Sequence, residues 1–249
     1  MTDLTWLYAK IYPGSLSQLD RVITTMVMRI VRDNDACIDR WHFLRFIDTD
    51  GPHIRLRCLI DDDVADSIVA SFGDLEEHLG SHARIDVAYY DPEVGKWGTG
   101  EDLRLAEVQF QRASECAATL LESRPSRRMR WAACERVFTA MFDVLPLEGI
   151  SKASLFETHA RWWLGSMDLV SAATQAPNTP SSQIPQAFLL GVEQLVDDFG
   201  LWSQRHSRPE RLAYLAHQLI HLSINRIGLT PAEEGTLAAS LWSREQAMN

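Results

Sequence analysis

One predicted strand carries two arginines at alternate positions, a spacing that suits anion binding. In the segment HIRLR, residues 53–57, the two-residue period of a strand places His53, Arg55 and Arg57 on one face. Two guanidinium groups about 7 Å apart on a central strand are costly unless they meet anions or carboxylates. The sequence leaves two interpretations open for these arginines. They are either paired within the structure or exposed to solvent, or they bind an anion. Arg45, on the neighbouring strand, joins them only if the hairpin register allows it.

A polar stripe interrupts a helix predicted near the C-terminus, LAYLAHQLIHLSINRI at residues 212–227. Its members recur at helical steps and must face something polar: Tyr214, His217 or Gln218, His221 and Asn225. His217 and His221 have the i, i+4 spacing of a zinc pair, but Gln218 replaces the glutamate of the metalloprotease motif and no third ligand is evident. We therefore predict no metal site, and His221 is either a satisfied structural group or a catalytic one.

A third segment, YYDPEVGKWGTG at residues 89–100, contains three glycines and a lysine. It lacks the GxxxxGK[ST] pattern of a phosphate loop, because Lys96 precedes Gly98. The pattern predicts a tight loop that places Lys96 and Trp97 near the end of a sheet. No GxSxG motif for serine catalysis occurs.

The elements that must position these residues form two predicted layers. Alternation predicts strands at 4–12, 41–47, 53–60 and 84–90, and helical spacing predicts helices at 16–30 and 64–75. The Asp50-Gly51 pair predicts a tight hairpin turn. The order β-α-β-β-α-β is that of the ferredoxin-like split motif, whose first and third strands lie in the middle of the sheet.

From residue 101 onward the spacing predicts helices only, at 101–123, 128–144, 151–172, 185–204, 209–228 and 231–246. The predicted fold is therefore α+β. A ferredoxin-like βαββαβ N-terminal layer, residues 1–100, packs against a C-terminal helical layer, residues 101–249, in a single domain.

Composition and charge narrow the class of partner. Lys and Arg number 24 against 34 Asp and Glu, a net charge of −10, so nucleic acid is not expected as the main partner. No signal-like N-terminus and no run of 18 apolar residues occurs, so we expect a cytoplasmic protein without membrane partners. The four cysteines lie far apart without a CxxC pair, which favours free thiols.

Four motifs in order resemble one known family: WHFLRFID followed by HIRLR, then YYDPEVGKWGTG with AEVQF, and finally LIHLSINRIG. Together they are similar to the thiopeptide-type bacteriocin biosynthesis family over about residues 5–245. That family includes the C-terminal elimination domain of class I lanthipeptide dehydratases and the pyridine synthases of thiopeptide pathways.

The resemblance implies an enzyme that acts on a ribosomally made precursor peptide. Elimination domains expel glutamate esterified onto Ser or Thr and leave dehydroalanine or dehydrobutyrine. By match to the family motifs, Arg55 and Arg57 would hold the glutamyl group and His221 would be the acid/base. Lys96 stands where the family has an arginine, which keeps the charge but loses the bidentate fork. The expected substrate-binding residues are Arg45, Lys96 and Asn225.

The resemblance leaves two alternatives to elimination. Pyridine synthases join two dehydroalanines in a formal [4+2] cycloaddition and release the leader peptide, but they tend to lose the arginines and histidine retained here. A non-catalytic homologue would only dock a precursor peptide or a partner enzyme. For elimination we expect no cofactor, a separate glutamylating dehydratase subunit, and a cleft shared by both arginines and His221. The sequence is compatible with either a homo-oligomer or a hetero-oligomer.

Overall fold

Four strands of alternating sequence form one antiparallel sheet in the computed structural model, which describes residues 4–72, 83–146, 149–177, 184–206 and 208–248. The strands are β1 (Leu4–Tyr12), β2 (Ile38–Asp48), β3 (Gly51–Asp61) and β4 (Arg84–Ala88). Their order in the sheet is β2-β3-β1-β4, and each neighbouring pair is antiparallel. The first and third strands therefore lie in the middle of the sheet, as predicted.

The hairpin between β2 and β3 sets the register of the sheet. Asp48 pairs with Gly51 across a two-residue connection, and the Asp50 amide donates to Asp48 Oδ1 at 3.0 Å. Gly51 has a φ of +117°, a conformation that residues with a Cβ rarely adopt. A tight turn therefore occurs where it is predicted, but its two connecting residues are Thr49 and Asp50, and the positive φ lies on Gly51, the first residue of β3.

One face of the sheet is apolar and is covered by helix. On β3 the buried members of this face are Ile54, Leu56, Cys58 and Ile60. The helical segment 16–33 (α1) contains a π-helical stretch, Val22–Val27, and packs against β3. Its buried side chains recur at helical spacing, namely Val22, Ile23, Met26, Val27 and Ile30. The helix predicted at 64–75 is seen as the helical segment 62–70 (α2), and its last residues lie outside the described ranges.

The outer edge of β2 is capped by side chains of a long helix. After the short helix α3 (Val94–Trp97), helix α4 runs through Glu101–Glu122. The Trp41 amide donates to Gln111 Oε1 at 3.2 Å and the Phe43 amide donates to Ser114 Oγ at 3.1 Å. These bonds protect an edge strand that would otherwise expose its backbone donors. They explain why the first compact unit is Met1–Ser114 rather than ending at residue 100.

The second compact unit, Glu115–Asn249, is helical. Its further helices are α5 (Arg127–Asp143), α6 (Lys152–Leu164), α7 (Leu169–Ala173), α8 (Gln186–Ser203), α9 (Pro209–Ile227) and α10 (Pro231–Met248). Helix α10 packs against α6 and α7, and α9 packs against α5. Within the described ranges, no helix combines the length and the apolarity needed to cross a bilayer.

The helix predicted at 151–172 is wrong as a single element, because it is two helices. Gly165 takes a φ of +57° at the end of α6, a conformation typical of a helix C-terminus. Asp168 then caps α7, since its carboxylate accepts from the Ser171 amide at 3.0 Å. Helical spacing continues across the break, so periodicity alone does not reveal it.

Candidate active site

The arginine-bearing face of β3 has the side-chain arrangement predicted from its alternation. His53, Arg55 and Arg57 share the face opposite the buried apolar residues of the strand. In the sheet register, Tyr8 on β1 and His42 on β2 both pair with Arg57. We call the two arginines and the rings in contact with them on this side of the sheet the arginine face, whose members are Tyr8, His42, Phe46, His53, Arg55, Arg57 and Tyr90.

Arg57 is surrounded by aromatic rings rather than by carboxylates. Its Cζ atom lies 4.6 Å from the ring centroid of Tyr90 and 4.9 Å from that of Tyr8. Its Nη1 atom donates to His42 Nε2 at 3.3 Å, while its buried Nε has no hydrogen-bond partner in the described part of the chain. Burial lowers the pKa of the Arg57 guanidinium and raises the pKa of the Tyr90 hydroxyl to about 12. A partly buried cation without a paired anion can receive one from a ligand.

Arg55 has a similar environment one step along the strand. Its Cζ atom lies 3.2 Å from the centroid of the Phe46 ring, and its Nε donates to His53 Nε2 at 3.4 Å. Burial lowers the pKa of His53, so this imidazole is neutral and accepts from Arg55 while its Nδ1–H donates to the Gly51 carbonyl at 3.1 Å. Across the described ranges, no carboxylate forms an ion pair with Arg55 or Arg57.

The structure does not bring Arg45 to the arginine face. Arg45 pairs with Ile54 in the register, so it lies on the opposite, helix-covered face. Its Nη2 donates to Asp20 Oδ1 at 2.7 Å. Arg45 is therefore an ion-pair partner of α1, and we leave it out of the candidate site. The open question of its face is answered by the register that the short hairpin imposes.

Lys96 lies on the short helix α3 and is already engaged by a carboxylate. Its Nζ donates to Glu93 Oε1 at 3.0 Å and to Glu93 Oε2 at 3.1 Å. The neighbouring Trp97 is buried and contacts Phe110, whose ring in turn contacts His42. Lys96 thus directly precedes a tryptophan that is linked to the arginine face through Phe110, and its charge is balanced by Glu93.

In the second unit, His221 is held by a buried glutamate. His221 Nδ1 lies 2.8 Å from Glu234 Oε2, and Glu234 Oε1 lies 2.6 Å from His159 Nε2. Glu234 is fully buried. Burial alone would raise the pKa of Glu234, but the hydrogen bonds from His159 and His221 lower it, so the carboxylate is ionised and accepts from both rings.

The arrangement continues to a third histidine. His159 Nδ1 lies 3.0 Å from His217 Nδ1, and burial, together with the neighbouring His159, lowers the pKa of His217 to about 3. We call His159, His217, His221 and Glu234 the histidine cluster. His217 and His221 of the polar stripe of α9 therefore face polar partners, as predicted. His217 and His221 bond to different groups, and no set of metal-ligating side chains occurs in the described residues.

His221 is the member of the histidine cluster that reaches solvent, since 22% of its side chain is exposed. The ring of Trp163 lies against it with centroids 4.6 Å apart. Because Glu234 occupies Nδ1, the Nε2 atom is left for a substrate. Asn225, one turn further along α9, is half-buried and stays a prediction as a substrate contact.

Sequence reasoning missed Glu234 and His159, although one signal pointed to the glutamate. Thr230 and Glu233 form a capping box, in which the Thr230 amide donates to Glu233 Oε2 at 2.8 Å. Only one of two adjacent glutamates can cap the helix, so Glu234 points inward. Gly235 allows this approach, because a Cβ there would meet Leu164 Cγ at 2.8 Å and Trp163 Cβ at 2.9 Å.

Comparison with solved structures shows a shared fold at low sequence identity. The tRNA-dependent lantibiotic dehydratase MibB from Microbispora sp. 107891 matches with a TM-score of 0.71 and 19% identity over 98% of this chain and 28% of the MibB chain. TsrL matches with a TM-score of 0.62 and 16% identity over 100% of this chain and 96% of its own. TbtD, a pyridine synthase from thiomuracin biosynthesis, matches with a TM-score of 0.62 and 13% identity over 98% and 99%.

The sequence comparison is more specific. A search of curated proteins found no match. The family model described as lantibiotic biosynthesis dehydratase C-term matches residues 6–244, which contain the arginine face and the histidine cluster. By that match the chain belongs to the C-terminal family of lantibiotic biosynthesis dehydratases.

Proposed function

We propose that this protein is a lyase that eliminates glutamate from glutamylated Ser or Thr side chains of a ribosomally made precursor peptide. The observation that carries the proposal is the pairing of His221 with the buried Glu234, 2.8 Å apart. The pairing leaves Nε2 as the lone-pair nitrogen of a positioned base, the group that removal of a proton next to a carbonyl requires.

In the proposed step, His221 Nε2 takes the proton from Cα of the glutamylated residue. The electrons of that C–H bond form the Cα–Cβ double bond, and the Cβ–O bond breaks. Glutamate departs with the ester oxygen as a carboxylate, leaving dehydroalanine from Ser or dehydrobutyrine from Thr. The proton on His221 returns to solvent or to the product.

The arginine face supplies the charge that the departing glutamate needs. We propose that Arg55 and Arg57 hold its carboxylates through forked hydrogen bonds and stabilise the negative charge that develops on the leaving oxygen. Support comes from their surroundings, since both are partly buried among rings and neutral histidines and neither forms an ion pair with a described carboxylate. The proposal requires the arginines and His221 to reach one glutamylated residue.

In this proposal, a different enzyme activity makes the glutamylated peptide. This chain matches 28% of the MibB chain, so it spans less than a third of the length of that dehydratase. We propose that a separate glutamylating subunit loads glutamate onto the precursor peptide before this protein acts.

The second candidate is the formal [4+2] cycloaddition of two dehydroalanines with release of the leader peptide. What favours it is the fold shared with TbtD, a pyridine synthase. The retention of Arg55, Arg57 and His221 favours elimination, because cycloaddition expels no glutamate for the arginines to hold.

We also infer that the sheet and its helices form a ferredoxin-like fold. The strand order β2-β3-β1-β4 with antiparallel neighbours supports this classification. The connection between β3 and β4 runs partly through residues outside the described ranges, so the complete motif stays a proposal.

A single set of peptides separates the candidates. The protein is incubated with a precursor peptide carrying one Ser esterified by glutamate, with the same peptide unmodified plus ATP, and with a peptide containing two dehydroalanines. We expect mass spectrometry to show loss of glutamate and one dehydroalanine from the first peptide alone. Ring formation with leader release from the third would support cycloaddition, and dehydration of the second with ATP alone would contradict both.

A further inference from the structure

The histidine cluster forms one unbroken line of hydrogen bonds behind His221. The line runs from His217 Nδ1 to His159 Nδ1 at 3.0 Å, from His159 Nε2 to Glu234 Oε1 at 2.6 Å, and from Glu234 Oε2 to His221 Nδ1 at 2.8 Å. His159 and Glu234 are fully buried and His217 is nearly so.

The hydrogen-bond chemistry of the line allows one assignment of protons when the three rings are neutral. An ionised carboxylate only accepts, so His159 donates through Nε2–H and His221 donates through Nδ1–H. A neutral imidazole has a single N–H, so His159 Nδ1 is an acceptor. His217 must then donate through Nδ1–H, and the ring nitrogen of His221 that lacks a proton is Nε2.

The surroundings disfavour a charged histidine within the line. The rings of Phe138 and Phe142 contact His159 and His217 edge-on, with centroid distances of 4.6 and 5.3 Å. Trp162 covers both histidines at 5.8 and 4.9 Å. An imidazolium in such an apolar shell would lose its hydration, so the negative charge of Glu234 stays uncancelled and acts on His221.

We propose that His159 and His217 are positioning residues that fix the tautomer of His221 by orienting Glu234, so that Nε2 always faces the substrate without a proton. The inference rests on the proposed role of His221 as the base, and it extends that role to two residues that no substrate touches. A carboxylate with only one fixed partner could rotate away from His221, whereas a carboxylate clamped at both oxygens cannot.

The direct test is the tautomeric state of each ring, measured by long-range ¹H–¹⁵N NMR correlation on the wild-type protein near neutral pH. We expect Nδ1–H at His217 and His221 and Nε2–H at His159. An Nε2–H tautomer at His217 or His221 would overturn the proposal whatever the protein catalyses. If the tautomers are as expected and no glutamate is released, the proposed function fails and the line of hydrogen bonds stands.

Variants test whether the clamp affects turnover. His159→Phe removes the donor to Glu234, whereas His159→Gln places an amide N–H near the position of Nε2, and His217→Asn places one near Nδ1. We expect His159→Phe to raise the Nε2–H fraction of His221 and to lower kcat by about tenfold or more with KM unchanged, part of the roughly 10²–10⁴-fold that a positioned base contributes.

The conservative changes and a control keep this test decisive if His159→Phe fails to fold. His159→Gln and His217→Asn should retain most of the wild-type kcat and the Nδ1–H tautomer of His221. Ser223→Ala is the matched control, because Ser223 is buried on α9 and, among the described residues, its hydroxyl bonds only to the Leu219 carbonyl of its own helix, at 2.8 Å. A tautomer of His221 and a kcat that stay at wild-type values in a folded His159→Phe would refute the positioning role. A loss in Ser223→Ala equal to that in His159→Phe would do the same.

Discussion

The arginine face and the histidine cluster handle buried charge in opposite ways. Arg55 and Arg57 lie against the rings of Phe46, Tyr8 and Tyr90 and against neutral histidines, without an ion pair to a described carboxylate. In the histidine cluster one buried carboxylate, Glu234, is shared by two imidazoles. The first region can accept negative charge from a ligand, while the second is satisfied internally and offers one ring nitrogen. In the proposed reaction, the first region binds the glutamyl group and the second transfers the proton.

The two regions also differ in how the chain assembles them. Arg55 and Arg57 are two residues apart on one strand, so local geometry alone places them side by side. The histidine cluster draws on α6, α9 and α10, and its bonds join residues 58 and 75 positions apart. We therefore expect the orientation of His221 to be more sensitive to substitutions around it than the arrangement of Arg55 and Arg57 is.

The largest expected effect is the loss of the base. His221→Asn keeps an amide N–H near the Nδ1 position for Glu234 and removes Nε2, so folding should be retained. Glutamate release should fall by roughly 10²–10⁴-fold, the usual contribution of a general base, with little change in peptide affinity. Single-turnover mass spectrometry, peptide-binding titration and a melting curve check this. A wild-type rate in His221→Asn would remove His221 from the reaction.

The next effect concerns the pH dependence of stability, to which the histidine cluster contributes through two buried imidazoles. Burial lowers the pKa of His217 to about 3 and lowers the pKa of His159, so the unfolded chain binds protons more readily than the folded one below about pH 6.5. The stabilisation from His217 and His159 is therefore complete above that pH and falls as the pH is lowered, by about 1.4 kcal/mol per pH unit for each proton.

Urea unfolding at pH 7, 6 and 5 measures this slope. Glu234 contributes little in that window, because its pKa is lowered from 4.5 and its stabilisation is lost only in more acidic solution. His217→Phe should reduce the slope of the unfolding free energy against pH by the equivalent of about one proton, and Ser223→Ala should leave this slope unchanged. Equal slopes in wild type and His217→Phe would contradict a buried neutral His217.

The sequence predicts the features that depend on local periodicity and misses those that depend on distant residues. The face shared by Arg55 and Arg57 follows from alternation, and the polar stripe of α9 follows from helical spacing. The face of Arg45 does not, because it depends on the pairing of Asp48 with Gly51. The capping box of Thr230 and Glu233 assigns Glu233 to the start of α10, but the sequence does not show which residues Glu234 meets in the core, because His159 and His221 lie on other helices.

A moderate effect is expected from substitutions that keep the positive charge of the arginine face but remove its forked hydrogen bonds. Arg55→Lys and Arg57→Lys keep the charge but lose the fork, and should cost part of the roughly 1.5–3 kcal/mol of a charged hydrogen bond. Alanine at either position should cost more. Glutamate release against peptide concentration, with a melting curve for each variant, measures this. Unfolding of Arg55→Ala and Arg57→Ala would point to structural cations instead of ligand-binding ones.

The smallest effect is expected at Arg45, which has the same charge as Arg55 and lies one strand away on the opposite face. Arg45→Ala breaks the ion pair with Asp20, whose carboxylate is 41% exposed, so stability should fall by about 1 kcal/mol or less. Glutamate release should be unchanged, since no part of the arginine face is touched. Asp20→Asn should give a similar loss of stability, and the double variant should add little to either single change because both remove one interaction. A fall in glutamate release in Arg45→Ala comparable with that of Arg55→Ala would mean that positive charge in general, and not the geometry of the arginine face, supports the reaction.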